Sequence, residues 1–470
     1  MATSLSRPPI LNMKAIFQTP GLLRCPTEIH CMIFQFLSAE DFYGLFWACK
    51  ILNGIAEPFL YSAIQLNWRK HSRPPRIISL IKNILSRPHL AIFVIGLTLG
   101  RSGGESIRSI ATIRDIRLTV DETDLEQLIE VIKTFNIDYE DIWISELRNR
   151  NMDAFLAIHL TVEIVGLVLR STLSQDSNCG IASFQRLQHV TFKQTTIGRF
   201  RRGTLNPQDI LPFFSCPNVV CLSAAIDTPI DYGWPLDSRP VASTITSLDL
   251  DLVKAGMLYH ILSVTTKLKT LRWRWHHYGN CGTTIQYDVI IGALSLVRNT
   301  LTDLTISAEN EVVNADSSWI GVTGSLDGLV NFKILKRLEI NLEFLFGSLL
   351  SPYARPRIFP PSGRTLQFER IVPKNIEILT LTDDKELEWK NYVHYHKVAT
   401  AIQSWLGAWK NSTPHLRSIR FLLMYDYQEF DSTPTRDLYK LDRTMRLHLD
   451  RLSAATEVEI EVRRIYRTDL

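Results

Sequence analysis

The chain has 470 residues, of which 45% are hydrophobic and 21% charged, and its formal net charge is +4. These proportions are ordinary for a folded protein that buries a large core. A net charge this small does not favour nucleic acid as a partner, because phosphate binding needs basic residues concentrated on one face.

The seven cysteines are scattered and show no spacing typical of a disulfide framework or of a metal site. The N-terminal residues lack the apolar core of a signal peptide. The longest apolar stretches, Ile92 to Leu99 and Ile164 to Leu169, are far shorter than a membrane span. We therefore expect a protein of the cytoplasm or nucleus that uses no membrane, metal or other cofactor.

Helical periodicity begins after residues 1–20, which are expected to form a flexible tail. Apolar residues recur with the spacing of one helix face at Ile29, Met32, Ile33, Phe36 and Leu37. This stripe predicts a first helix, and Pro26 and Thr27 lie where such a helix would start.

Two further helices are predicted before residue 66. Ser38 and Asp41 have the spacing of a capping box, which predicts the start of the second helix. A third apolar unit runs from Ile51 to Ile64, and Pro58 is expected to break it. Three helices in about 40 residues can bury little core by themselves, so a partner or the rest of the chain should stabilise them.

A different pattern, of the form L-x-x-L-x-L, recurs after residue 66. Its alternating end is typical of a strand, and apolar segments that read as helices lie between successive copies. The middle position of the pattern falls at Val190, Leu248, Leu271, Leu304, Leu338, Leu379 and Ile419. Weaker copies lie at Leu97/Leu99, Leu167/Leu169, Val220/Leu222 and Val458/Ile460/Val462.

Strand and helix alternating in this way predict a solenoid of α/β class, with a parallel ladder of strands and helices on the outer face. The steps between copies are irregular, so we expect longer helices or inserted loops in many units. Residues 121–160 lack the strand pattern and are predicted to form a helical insert. The predicted organisation is a tail at 1–20, a helical unit at 21–66 and a solenoid at 67–470.

Residues 25–66, CPTEIHCMIFQFLSAEDFYGLFWACKILNGIAEPFLYSAIQL, resemble an F-box. The family pattern opens with L-P-x-E-[IL], continues with L-x-x-x-D-L and closes with C-K-x-[LW]. Cys25 stands where leucine is usual, and Phe42 replaces the leucine that follows the aspartate. The matching positions are Pro26, Glu28, Ile29, Ile33, Leu37, Asp41, Leu45, Cys49 and Lys50.

The resemblance implies a division of labour. The F-box binds the Skp-family linker of a Skp–cullin–F-box ubiquitin ligase, and the leucine-rich-repeat-like domain recruits an unknown protein substrate. It also implies that the chain is not an enzyme. The residues that would contact the linker are Cys25, Pro26, Glu28, Ile29, Ile33, Leu37, Leu45 and Cys49. The alternative is that these apolar side chains are only the internal core of an N-terminal helical cap.

Substrate would contact the outward positions of the strands, because the leucines of the pattern point to the core. The candidate substrate-binding residues are Asp249, Asp251, Arg272, Arg274, Thr305, Arg337 and Glu339. Any solvated sheet face must be polar, however, so the same pattern fits a face with no binding role. Trp275 is likewise either a binding anchor or a core residue.

No phosphate loop, nucleophile elbow, zinc-protease or dinucleotide motif is present in the sequence. The leading functional hypothesis, implied by the resemblance to an F-box, is a ligase adaptor. Three alternatives stay open: a protein that binds the linker but never meets a cullin, a non-catalytic repeat scaffold without a ligase role, and an enzyme of unrecognised type.

Overall fold

The computed structural model describes residues 21–68, 80, 83, 87–101, 121–134, 140–149, 186–193, 210, 213–226, 243–278, 284–311, 321–346, 367–383, 395–425 and 443–466. Two predictions lie outside these residues, namely the N-terminal tail and the strand-like pattern at Leu167 and Leu169. The predicted insert is described only up to residue 149.

Helices alternate with strands along most of the described chain. The helices are Thr27–Phe34 (α1), Ala39–Ala48 (α2), Lys50–Ser62 (α3), Glu122–Thr134 (α4), Glu140–Arg148 (α5), Ala255–Leu262 (α6), Tyr287–Ser295 (α7), Leu342–Phe346 (α8), Phe368–Ile371 (α9), Tyr395–Leu406 (α10), Trp409–Ser412 (α11) and Arg443–Thr456 (α12). Short 3-10 helices cover Gly21–Arg24, Pro88–Phe93 and Asp327–Asn331.

The strands are Ala63–Trp68 (β1), Gly96–Arg101 (β2), His189–Lys193 (β3), Cys221–Ala225 (β4), Ser247–Asp251 (β5), Thr270–Tyr278 (β6), Thr284–Gln286 (β7), Asp303–Glu311 (β8), Gly321–Thr323 (β9), Arg337–Asn341 (β10), Ile378–Asp383 (β11), Ser418–Tyr425 (β12) and Glu459–Tyr466 (β13). Eleven of them form one sheet in the order β1-β2-β3-β4-β5-β6-β8-β10-β11-β12-β13, and β7 and β9 form a small ladder of their own.

Every pair of neighbours in the large sheet is parallel, and the strands follow one another in chain order. Sequential neighbours of this kind are typical of a solenoid, in which each unit packs on the next. The α/β class and the parallel ladder predicted from the sequence are therefore confirmed. The weak strand patterns at Leu97, Leu222 and Ile460 are confirmed as β2, β4 and β13.

The register places the middle position of each pattern in one row across the sheet. This row consists of Ile64, Leu97, Val190, Leu222, Leu248, Leu271, Leu304, Leu338, Leu379, Ile419 and Ile460. The apolar faces of α6, α7 and α10 cover the same side of the sheet in one continuous core. The leucine pattern thus fixes both the register and the face that is buried.

The three N-terminal helices have a separate, smaller core. Its buried residues are Phe34, Phe42, Leu52 and Ala56. The predicted break at Pro58 is wrong, because α3 continues through it to Ser62. Proline removes one helix hydrogen bond, but Phe59 and Leu60 beyond it pack against this core and offset the loss.

The thiol of Cys216 offers a test of the solenoid core. Cys216 is buried, and burial raises the pKa of its thiol to about 12. At pH 8 it should hold roughly a thousandfold less thiolate than an ordinary cysteine. Mass spectrometry should therefore find Cys216 unmodified by iodoacetamide in the native protein and alkylated in urea. Native alkylation as fast as that of the half-exposed Cys31 would contradict this burial.

Candidate functional site

Helix α1 has an apolar face that its own fold does not cover. We call Pro26, Ile29, Met32, Ile33 and Phe36 the outer α1 face. All five side chains are exposed, with exposed fractions of 41% for Ile29, 39% for Ile33 and 89% for Phe36. A run of exposed apolar residues on one helix face is typical of a surface that binds another protein.

The opposite side of α1 holds the helix in place. Phe34 is 1% exposed, and its ring lies 5.9 Å from that of Phe42 and 5.7 Å from that of Phe59. The imidazole of His30 is buried and donates to the carbonyl oxygen of Leu22 over 2.6 Å. These contacts orient the helix, so the outer α1 face points away from the three-helix core.

The predicted linker-binding residues divide between the two sides. Pro26, Glu28, Ile29 and Ile33 are exposed, and Cys25 is half-buried. Leu37, Leu45 and Cys49 are half-buried and pack against the three-helix core. The first group is thus accessible at the surface, and the second contributes to the core beneath it.

Within residues 21–68, four large exposed apolar residues are absent from the set predicted to bind the linker, namely Met32, Phe36, Trp47 and Ile51. Met32 and Phe36 belong to the helical stripe found in the sequence, so a signal for them existed. Trp47 is 81% exposed and lies off the face of α2 that contains Phe42, Leu45 and Cys49. Its position outside that apolar repeat was the signal that could have identified it.

The start of α2 is fixed by a hydrogen-bonded pair, as its sequence predicts. The amide of Asp41 donates to Ser38 Oγ over 3.3 Å, and the amide of Ser38 donates to Asp41 Oδ2 over 2.9 Å. The Ser38 hydroxyl also donates to Asp41 Oδ2 over 2.6 Å, and this hydrogen bond, followed by the one from the Ser38 amide, lowers the pKa of the Asp41 carboxyl. The capping box is therefore confirmed. It fixes the start of α2 shortly after Phe36, the last residue of the outer α1 face.

A second candidate site lies on the open face of the sheet. Asp249, Arg272, Thr305 and Glu339 occupy the same register position on β5, β6, β8 and β10. Neighbouring strands lie about 4.8 Å apart, so these four residues form one continuous row. The sheet therefore brings together residues that are far apart in the chain.

The charges on this face are largely paired with one another. Arg274 lies 3.7 Å from Asp249, and Arg337 lies 3.1 Å from Asp303. Ser223 also donates to Asp249 over 3.3 Å. A face that already satisfies much of its own charge gives little preference for a strongly charged partner.

Two acidic residues of this face are more enclosed than the pattern suggests. Asp251 is only 9% exposed. Burial raises the pKa of the Glu339 carboxyl, and the nearby Arg272 opposes that shift. Among the predicted substrate-binding residues, Arg272 and Arg337 are the exposed ones.

The two tryptophans of β6 belong to the core side of the sheet. Trp273 is buried, and its indole N–H donates to the carbonyl oxygen of Val253 over 2.8 Å. Trp275 is half-buried and packs against the same core. This placement favours the core interpretation of both side chains over a role for Trp275 as a binding anchor.

The described residues contain no cluster of three or more His, Cys, Asp or Glu side chains arranged to hold a metal ion. Within the same part of the chain, no helix has the length and apolar character needed to cross a membrane. Comparison with known proteins finds no family model that matches the chain and no similar curated protein.

Proposed function

We propose that this protein is a non-catalytic substrate adaptor of a Skp–cullin–F-box type ubiquitin ligase. The F-box-like motif at residues 25–66 supplies the sequence argument. The observation that carries the proposal is the exposure of Ile29, Ile33 and Phe36 beside the fully buried Phe34. Were the helices merely a cap, these side chains would be expected to pack against the chain's own body.

The energetics favour a covered outer α1 face. Apolar surface left in water costs about 25 cal/mol per Å2 relative to its burial. A stable protein–protein interface buries roughly 800 Å2 on each partner. The five exposed residues of the outer α1 face, with Trp47 and Ile51 in addition, are enough to form the apolar centre of such an interface.

In this proposal, the open face of the sheet and its bordering loops contact the substrate. The row Asp249, Arg272, Thr305 and Glu339 offers a continuous polar surface across four strands. Solenoids commonly bind proteins on extended surfaces of this kind. The chain itself supplies no reacting group in this scheme, and the ligase partners perform the transfer of ubiquitin.

Affinity purification of the full chain from its own cells tests the proposal. We expect the linker and the cullin to co-purify with it, together with one or more substrates that accumulate when the proteasome is inhibited. Linker without cullin would favour a role outside the ligase. Absence of both would contradict the proposal and favour a repeat scaffold.

A further inference from the structure

Positive charge is concentrated in the turns at the N-terminal ends of five neighbouring strands, along one side of the sheet. Alignment on the buried row defines five equivalent six-residue turns, each of which ends at the first residue of β6, β8, β10, β11 or β12. They comprise residues 265–270, 298–303, 332–337, 373–378 and 413–418. We call this row of turns the basic ridge.

The net charge of the basic ridge is more positive than that of the whole chain. Its five turns contain eight lysines and arginines against two carboxylates, an excess of six, whereas the whole chain has a net charge of +4. The equivalent turns before β4 and β5 contain no charged residue, and the turn before β13 contains Glu457 and Glu459. The equivalent turn of β3 contains a single cation, Arg186. The positive charge is therefore concentrated on five neighbouring strands, a length of about 19 Å.

Most of these cations form no ion pair with a described residue. All eight are exposed. Of these eight, only Lys336 and Arg337 form ion pairs with described residues, namely with Glu377 at 3.1 Å and with Asp303 at 3.1 Å. Lys333, Lys374 and Arg417 form none, and the apolar side chain of Ile334 beside Lys333 is 39% exposed. The ridge thus combines free positive charge with one apolar contact point.

The backbone of the ridge is held by the sheet. The amide of Lys336 donates to the carbonyl of Thr302 over 2.8 Å, the amide of Glu377 to that of Lys336 over 2.7 Å, and the amide of Arg417 to that of Glu377 over 2.9 Å. A partner would meet a pre-organised surface, which lowers the entropic cost of binding.

The charges at the centre of the ridge act on one another. The pKa of the Glu377 carboxyl is lowered, first by its hydrogen bond from Lys336 and then by the positive charges of Lys336, Arg417 and Arg337. A carboxylate is thus stabilised at this position, as one supplied by a partner would be.

We propose that the basic ridge is an interaction surface for an acidic polypeptide segment, distinct from the outer α1 face and bordering the open face of the sheet, with which it shares Asp303 and Arg337. A segment of about six extended residues spans the ridge. Glutamates or aspartates would pair with Lys333, Lys374 and Arg417, and an apolar side chain would cover Ile334. This inference does not depend on the adaptor role.

A polypeptide fits the ridge better than nucleic acid does. Asp303 and Glu377 lie among the cations and would repel a continuous phosphate backbone. A polypeptide can place a neutral or basic residue opposite each of these carboxylates. An apolar side chain of a polypeptide would cover Ile334, and a phosphate backbone offers none.

Fluorescence anisotropy with a labelled peptide of about 12 residues, glutamate-rich with a central leucine, tests the proposal on the full chain. We expect binding that weakens as salt is raised. The double variant Lys333→Glu with Lys374→Glu should weaken it at least about tenfold, because two attractions become repulsions. Circular dichroism checks that the variant is folded.

The matched control is Arg446→Glu with Arg451→Glu, the same change of charge at two exposed residues of α12. It should alter the affinity by less than about twofold. The proposal is overturned by an absence of peptide binding, by equal losses in both double variants, or by tighter binding of a single-stranded oligonucleotide of equal charge. Both variants should keep the linker, so this failure and a failure of the adaptor role are distinguishable.

Discussion

Replacement of Ile33 by aspartate is expected to abolish co-purification with a Skp-family linker. Ile33 lies near the middle of the outer α1 face and is 39% exposed, so it can enter a partner's apolar surface without disturbing the core of the three helices. Loss of its burial and desolvation of the new carboxylate together cost about 4 kcal/mol, which is roughly a thousandfold in affinity. Titration of purified linker against both proteins measures the change.

The same substitution at Ile334 is the control. Ile334 has the same exposed fraction, 39%, and lies in the turn before β10, far from α1 in the chain. We expect Ile334→Asp to bind the linker as the unaltered protein does. Equal linker binding by all three proteins would exclude the outer α1 face as the docking site.

Removal of the Trp273 side chain should cause the largest loss of stability. The indole is 1% exposed, lies 6.2 Å from the ring of Phe344 in edge-to-face geometry and donates to the carbonyl of Val253. Trp273→Ala leaves a large cavity and an unpaired buried carbonyl, for which we expect a decrease of about 4 kcal/mol in the free energy of unfolding. Urea denaturation followed by far- and near-ultraviolet circular dichroism measures it.

Trp47→Ala removes the same atoms from a site that is 81% exposed, and should change the free energy of unfolding by no more than about 0.5 kcal/mol. A similar loss in both variants would contradict the packing described for β6. Below its transition, Trp273→Ala should still bind the linker, because the three helices have a core separate from that of the solenoid.

Much of the solenoid follows from local pattern. A leucine-type residue at every second position can serve only a strand with one buried face, and so the repeated pattern predicts both the strands and their common register. The Ser38 and Asp41 spacing predicts the start of α2 for an equally local reason, since each side chain caps the other residue's amide. These features need no knowledge of distant contacts.

The continuity of α3 through Pro58 was beyond the sequence pattern. Proline opposes a helix locally, and only the packing of Phe59 and Leu60 against the three-helix core reverses that preference. Which side chains of α1 are buried was likewise beyond the sequence pattern. Ile33 and Phe34 are equally apolar neighbours, yet one is exposed and the other buried, because the direction from which α2 and α3 approach decides which face they cover.

The sequence by itself determined the strand ladder, its register and the motif at residues 25–66, because each depends on neighbours within a few positions. Only the tertiary structure decided which apolar residues of α1 stay uncovered and which charges meet. Lys269 and Arg417 are separated by well over a hundred residues, but they lie on one ridge because the stacked strands bring equivalent turns side by side. In a stacked ladder, residues that are far apart in the chain are separated by only a few strand spacings.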